Sequence, residues 1–342
     1  MRTIIAIPPL PRMTGGIAVL YQVAARLSEL DREVALVGVK SAPGLAEQAA
    51  QGVAVLPWDA IYGRNIGSPL RKTDVFCIAE GWPNMLAPAL TAGTRAMVYA
   101  QSWSYIFSAL PQGVSWGKLP VTFLAVSHPV AHYLTERVAL PLVGIVRPSI
   151  DKSRFHPAPR REAKTVRIAW MPRKNKAMAE QIMQLTEALD RDKKPRIEWV
   201  EIRNMPPDAV AETLRTCHIF LASGFPEGCS LPPLEAMASG CLVVGFSGFG
   251  GWDYMRQAEQ GQYVPRLKLR PTPWQGNGLF ASDGDVMEAS FLLGQAVRMV
   301  RENGPEYAEI QKQAFATADA YSADAQREEV RAVWNTLEQQ SI

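Results

Sequence analysis

The sequence is short of the residues that signal metal, redox or disulfide chemistry. Four cysteines occur in 342 residues (Cys77, Cys217, Cys229 and Cys241), and no two form a CxxC pair. That spacing disfavours a zinc site, and Cys77, inside an apolar run, reads as a small buried thiol. Histidine is equally scarce, with four residues. His128 and His132 stand four apart, a helical metal-pair spacing, but no third ligand accompanies them and Pro129 makes His128 a helix-start residue. No apolar run reaches the ~20 residues a membrane-spanning helix needs. The first apolar run, residues 4–7, ends on Pro8-Pro9. It is too short for a signal-peptide core and reads as a strand, so a cytoplasmic location, which includes the inner face of the membrane, is expected. The formal net charge is only +3, too little to argue for nucleic acid, though it permits a local basic patch for an anion. No G-x-G-x-x-G fingerprint is present, which argues against a nicotinamide oxidoreductase, and there are no repeats or low-complexity tracts.

What is present is a long α/β alternation. A chain of 342 residues that is 47% hydrophobic and 20% charged suits two globular domains. Short β-rich apolar runs fall at residues 3–7, 33–39, 53–56, 74–79, 95–100 and 122–126. Between the first two lies a helical stripe of Ile17, Leu20, Tyr21, Ala24 and Leu27. Strands alternating with helices predict a doubly wound parallel sheet. A turn-rich, proline-marked segment, residues 146–157, reads as a linker. The alternation restarts with a strand at 166–170, a helix at 177–189, a strand at 196–202 and a helix at 207–215. From about Asp285 the chain is helical, ending in a polar helix over 323–337 with an apolar stripe at Val330, Val333 and Leu337. The expected domains are residues 1–150 and 151–320, each Rossmann-like, with residues 321–342 as a final helix.

Residues 218–244, HIFLASGFPEGCSLPPLEAMASGCLVV, carry the densest information. They read as strand, loop, helix and strand, with Glu227 and Glu235 eight positions apart at the carboxyl end of a parallel strand, where open α/β sheets bind ligands. Pro232-Pro233 opens the helix, and Gly240 sits just past its end. This segment resembles the E-x7-E signature of retaining GT-B glycosyltransferases of the family 4 type. Three further segments are similar to the same family: Val146 through Asp151 to Phe155-His156-Pro157 between the domains, Gly278-Leu279-Phe280 before Asp283, and Ala320-Tyr321-Ser322 before the last helix. The resemblance runs along nearly the whole chain and is strongest in the second half. It implies the GT-B fold: two Rossmann-like domains facing each other across a cleft, with the last helix crossing back to the first domain.

The same resemblance assigns roles. Glu235 is implied to hold the donor ribose, since a carboxylate accepts from two neighbouring hydroxyls; alone, it reads as a first-turn glutamate favouring the helix dipole. Glu227 is implied to meet the donor sugar, where negative charge stabilises an oxocarbenium-like centre; alone, it is a solvated loop residue. Gly228, Cys229, Ser230 and Leu231 are expected to offer backbone amides to the donor, although the family commonly reads Glu-Gly-Phe-Gly where this chain reads Glu-Gly-Cys-Ser. Arg173 and a lysine, either Lys174 or Lys176 with Lys176 preferred, are implied to neutralise the leaving diphosphate; a solvated basic turn is the plainer reading. Gly15-Gly16 is similar to the family's first glycine loop and is expected on the donor side.

Gln101 stands where many relatives carry a histidine and is the candidate polar contact there. Ser127, His128 and Trp103 are weaker acceptor-side candidates. The apolar group Trp103, Tyr105, Ile106, Phe107, Leu110 and Trp116 reads as an acceptor or membrane surface, or as buried packing. Asp283-Gly-Asp285 has the form of a D-x-D metal motif, but its place before a helix makes Asp an N-cap instead. The expectation is a metal-independent hexosyl- or deoxyhexosyltransferase without a cofactor, using a nucleotide-diphosphate-sugar donor and a glycan or lipid-linked glycan acceptor, with peripheral membrane contact. A non-catalytic GT-B nucleotide- or glycan-binding protein is the alternative.

Overall fold

The computed structural model describes residues 1–63, 69–108, 110–158, 165–190, 196–259 and 263–339. The chain divides into two compact units: residues 1–149 together with the segment from Ala323 onward, and residues 150–322.

The first unit is built on a seven-stranded sheet of β1 (Thr3–Ala6), β2 (Val34–Gly38), β3 (Ala54–Pro57), β4 (Val75–Ala79), β5 (Arg95–Ala100), β6 (Val121–Ala125) and β7 (Leu142–Ile145), in the order β3-β2-β1-β4-β5-β6-β7. Every pair is parallel. β1, β2 and β4 are buried at every position, which is why they read as continuous apolar runs rather than alternating ones. The Gly15–Glu29 helix follows β1. Thr14 caps it by accepting from the Ile17 amide at 3.3 Å, and its buried stripe includes Ile17, Leu20, Tyr21, Ala24 and Leu27. The Ala323–Gln339 helix completes this unit. Its buried face is Val330, Val333, Trp334 and Leu337, and Trp334 Nε1 donates to Thr3 Oγ1 at 2.7 Å.

The second unit carries β8 (Thr165–Trp170), β9 (Arg196–Glu201), β10 (Ile219–Ala222), β11 (Leu242–Phe246) and β12 (Gly278–Ala281), all parallel, in the order β12-β11-β10-β8-β9. One core joins β10 and β11 to the Leu231–Ala238 helix through Phe220, Leu234, Met237 and Val243. On the other face, Ile168, Leu221 and Val244 pack against Leu293, Ala296 and Val297 of the Val286–Glu302 helix.

Several expectations needed adjustment, among them β12, which forms at Gly278–Ala281 where no strand was expected. β7 was not foreseen, because it is a half-buried edge strand with a glycine in it. β3 starts and ends one residue later than the apolar run suggested. Among the described residues no helix is long and apolar enough to cross a membrane.

Candidate functional site

In the second sheet the strand order reverses at β8. The chain steps outward from β8 to β9, then returns to place β10 on the other flank of β8. The loops leaving β8 and β10 therefore diverge and open a crevice at the carboxyl ends of the strands, the usual ligand position in such sheets. A cavity lies there. Its lining includes Met171, Arg173 and Lys174 after β8, Ser223, Gly224 and Glu227 after β10, and Ser230, Pro232 and Pro233 at the start of the next helix.

The charged groups of this crevice are already arranged against one another. Lys174 Nζ lies 2.9 Å from Glu227 Oε1 and donates to the Pro226 carbonyl at 2.7 Å. Both side chains are largely buried, 25% and 19% exposed, so their attraction is less screened than at an open surface. Asn175 sets the loop geometry. It adopts the left-handed conformation, φ 55°, which asparagine tolerates better than most residues. Its amide donates to the carbonyls of Ser223 (3.1 Å) and Phe225 (2.9 Å), tying the β8 loop to the β10 loop. This turn separates the two candidate lysines, and the preferred Lys176 lies outside the cavity lining. Lys176 begins the Lys176–Leu189 helix and pairs with Glu180 at 3.3 Å, half exposed, whereas Lys174 lines the cavity.

Glu227 is held by its backbone as well. Its amide donates to Gly248 O at 2.9 Å, and its carbonyl accepts from Gly250 N at 3.1 Å. The glycines are needed for this approach. A Cβ on Gly250 would stand 2.1 Å from Gly228 O, and one on Gly248, at φ +65°, would stand 2.7 Å from Glu227 Cβ. The glycine-rich segment after β11 is thus a close-packed support for the Glu227 loop.

The Leu231–Ala238 helix offers a short anion site. Ser230 is its N-cap and has no side-chain capping bond. Pro232 and Pro233 lack an N–H, so of the four amides a helix start normally leaves open, only Ser230 and Leu231 can donate. Tyr254, fully buried, donates its hydroxyl to Ser230 O at 2.8 Å, and burial raises its pKa well above the ordinary tyrosine value. Gly228 is buried and Cys229 half-buried in this loop. Glu235 lies one turn into the helix, outside the cavity lining. Burial pushes its carboxyl up to about 7, opposed by the positive charge of Arg154.

The remaining candidates lie in the first unit. Gln101 follows β5; its amide nitrogen donates to Gly16 O at 3.0 Å, and its backbone N–H donates to Glu80 at 3.0 Å. Gly16, Gln101 and Glu80 thus meet at the carboxyl ends of β1, β5 and β4, with Gly15 exposed beside them. Glu80 is 4% exposed, and burial drives its carboxyl up to about 7 against the backbone amides that bind it. Ser127 caps the next short helix, accepting from Val130 N at 3.3 Å, and His128 is that helix's first residue. Trp103 packs edge-on against Tyr133. The apolar group after β5 divides: Ile106 and Trp116 are buried, while Tyr105 and Phe107 are about half exposed. Among the described residues no group of three His, Cys, Asp or Glu side chains is placed to hold a metal ion. Asp285 caps the Val286–Glu302 helix, accepting from Glu288 N at 3.0 Å.

Sequence reasoning passed over Glu80, Arg154, Asn175 and Tyr254. Asn175 left one trace, an asparagine between a strand loop and a helix start, where few other residues accept a positive φ. The other three are defined by long-range packing.

Comparison with solved structures identifies the architecture. A glycosyltransferase from Rickettsia africae superimposes with a TM-score of 0.68 over 98% of both chains at 12% identity. Anabaena HepE, solved in complex with UDP and glucose, gives 0.65 over 98% of this chain and 99% of that one at 11% identity. The fold is GT-B. No family model matches the chain. Among curated proteins, an alpha-1,6-glucosyltransferase of Actinobacillus pleuropneumoniae serotype 7 is 30% identical over 142 residues, 37% of this chain. The chain thus spans less than half, 42%, of that relative's length.

Proposed function

We propose that this protein is a glycosyltransferase that moves a sugar from a nucleotide-diphosphate donor to an acceptor hydroxyl. The observation that carries the reading is the switch-point cavity, where Arg173, Lys174, Glu227 and Ser230 converge, with the Leu231 amide next along the chain. Breaking a glycosidic phosphate bond leaves negative charge on the diphosphate and positive charge at the anomeric carbon. Arg173, Lys174 and the two amides answer the first, and Glu227 answers the second. These groups supply the charge stabilisation without a metal ion in the proposed scheme. Glu235 takes the donor ribose, approached along the same helix. Support comes from the glucosyltransferase relative and from the UDP and glucose present in the HepE structure, so a UDP-hexose is the first donor to test. Retention of configuration and membership of the family 4 type rest on the Glu227–Glu235 resemblance. A glycan or lipid-linked glycan acceptor, as in polysaccharide or glycolipid synthesis, is part of the same proposal.

A second reading, a nucleotide- or glycan-binding protein without turnover, draws on Gln101, whose side chain cannot titrate and is engaged with Gly16. UDP release from UDP-glucose, with water or a glycan as acceptor, separates the two. Turnover lost in Arg173→Ala supports the transferase. UDP binding without turnover toward any UDP-hexose or acceptor supports the binding protein.

A further inference from the structure

We infer that Asp283 is a positioning residue for Glu227, acting through the Ser247–Gly250 loop. This deepens the proposed function and rests on that reading of the cavity. Asp283 belongs to the D-x-D sequence, yet its carboxylate is turned toward backbone. Its Oδ1 accepts from Gly248 N at 2.9 Å and lies 3.5 Å from the Ser247 hydroxyl. That hydroxyl in turn accepts from Phe249 N at 3.1 Å. The pinned loop then grips the signature loop: Gly248 O accepts from Glu227 N, Gly250 N donates to Glu227 O, and Glu227 and Phe249 form an isolated parallel bridge. The chain of contacts runs from one side-chain oxygen, through one peptide unit, to the backbone of the residue that pairs with Lys174.

Two features mark this as placement rather than ordinary capping. First, the helix-capping duty of this segment falls to Asp285, which leaves Asp283 free for the loop. Second, the contact is close enough to require glycine on the receiving side, at Gly248 and Gly250. Burial raises the Asp283 pKa while the Gly248, Ser247 and Phe249 donors oppose that shift, as befits a carboxylate committed to a loop. The consequence is specific. Asp283 sets where Glu227 holds Lys174, and so how far Lys174 is available to a diphosphate.

A double-mutant cycle on nucleotide affinity tests this. UDP, ADP and GDP are titrated calorimetrically into the full chain, and the tightest binder is carried through Asp283→Ala, Glu227→Gln and the double variant, with melting temperatures recorded alongside. Asp283→Ala is expected to change the Kd at least threefold in the wild-type background and less than 1.5-fold in the Glu227→Gln background, because residues acting in one chain are non-additive. Asp283→Asn keeps an oxygen acceptor for Gly248 N and is expected to stay within twofold of wild type. Should Asp283→Ala not fold, Ser247→Ala removes the other side-chain pin and goes through the same cycle. Equal fold-changes in both backgrounds, or no change in either, would overturn the inference while leaving the site reading intact. A wild-type chain that binds none of the three nucleotides would overturn the site reading first, and the inference with it.

Discussion

Among single residues, the Lys174–Glu227 salt bridge is the contact that a diphosphate has to open. Lys174 and Glu227 neutralise each other, so a diphosphate that binds Lys174 competes with Glu227 for it. Glu227→Gln is therefore expected to bind UDP about tenfold more tightly, ~1.4 kcal/mol, while losing sugar transfer; titration and a turnover assay read the two effects separately. Glu235 gives a pH signature. Its carboxyl is raised to about 7 by burial, so it is mostly protonated in the folded protein at pH 5 and ionised at pH 8. An acid whose folded pKa lies above its unfolded one costs stability as pH rises from the unfolded value through the folded one. Glu235→Gln should thus melt at a higher temperature than wild type at pH 8 and close to it at pH 5. If the ionised carboxylate holds the ribose, UDP affinity of the wild type should also rise through pH 7 more steeply than that of Glu235→Gln. The comparison cancels the nucleotide's own titration.

At the scale of elements, loops packed against loops position the site. Gly250 lies against the Gly228 carbonyl with no room for a methyl group, so Gly250→Ala forces one loop off the other. Overpacking of this kind costs ~1–3 kcal/mol, and for a domain of this size each kcal/mol lowers the melting temperature by ~2–4 °C. A variant that melted with the wild type would show the loops to be looser than described. This level also shows what the sequence made legible. The buried strands β1, β4, β5, β10 and β11 announce themselves as apolar runs, and Arg173 and Glu227 are found by position at strand ends. Lys174 and Lys176 could not be told apart by position, because what separates them is the left-handed turn at Asn175, after which Lys176 starts a helix and pairs with Glu180. β7 was missed for a similar reason. It is an edge strand whose Gly144 fits against Val333, about 190 positions along the chain, a contact that no local pattern records. Asp283 was read through its D-x-D form, while its partner, the Gly248 amide, is visible only in three dimensions.

At the scale of the whole molecule, the chain visits the first unit, builds the second, and ends in a helix that belongs to the first. Trp334 is buried and bonded to Thr3 of the first strand, so its loss should be felt there. Trp334→Ala is expected to cost ~3–5 kcal/mol, as other large aromatic truncations in cores do, and urea unfolding followed by Trp fluorescence measures it. Each unit is a doubly wound sheet, and each presents polar groups at the carboxyl ends of strands beside its switch point: Gln101, Glu80 and Gly16 in one, Arg173, Lys174 and Glu227 in the other. The second of these is the proposed nucleotide-diphosphate site, and calorimetric titration of UDP into wild type and Arg173→Ala tests it. Micromolar binding to the wild type, weakened at least tenfold in a folded Arg173→Ala, is the expected result. Binding that Arg173→Ala leaves unchanged, or no binding of UDP, ADP or GDP at all, would rule out a nucleotide-diphosphate site there.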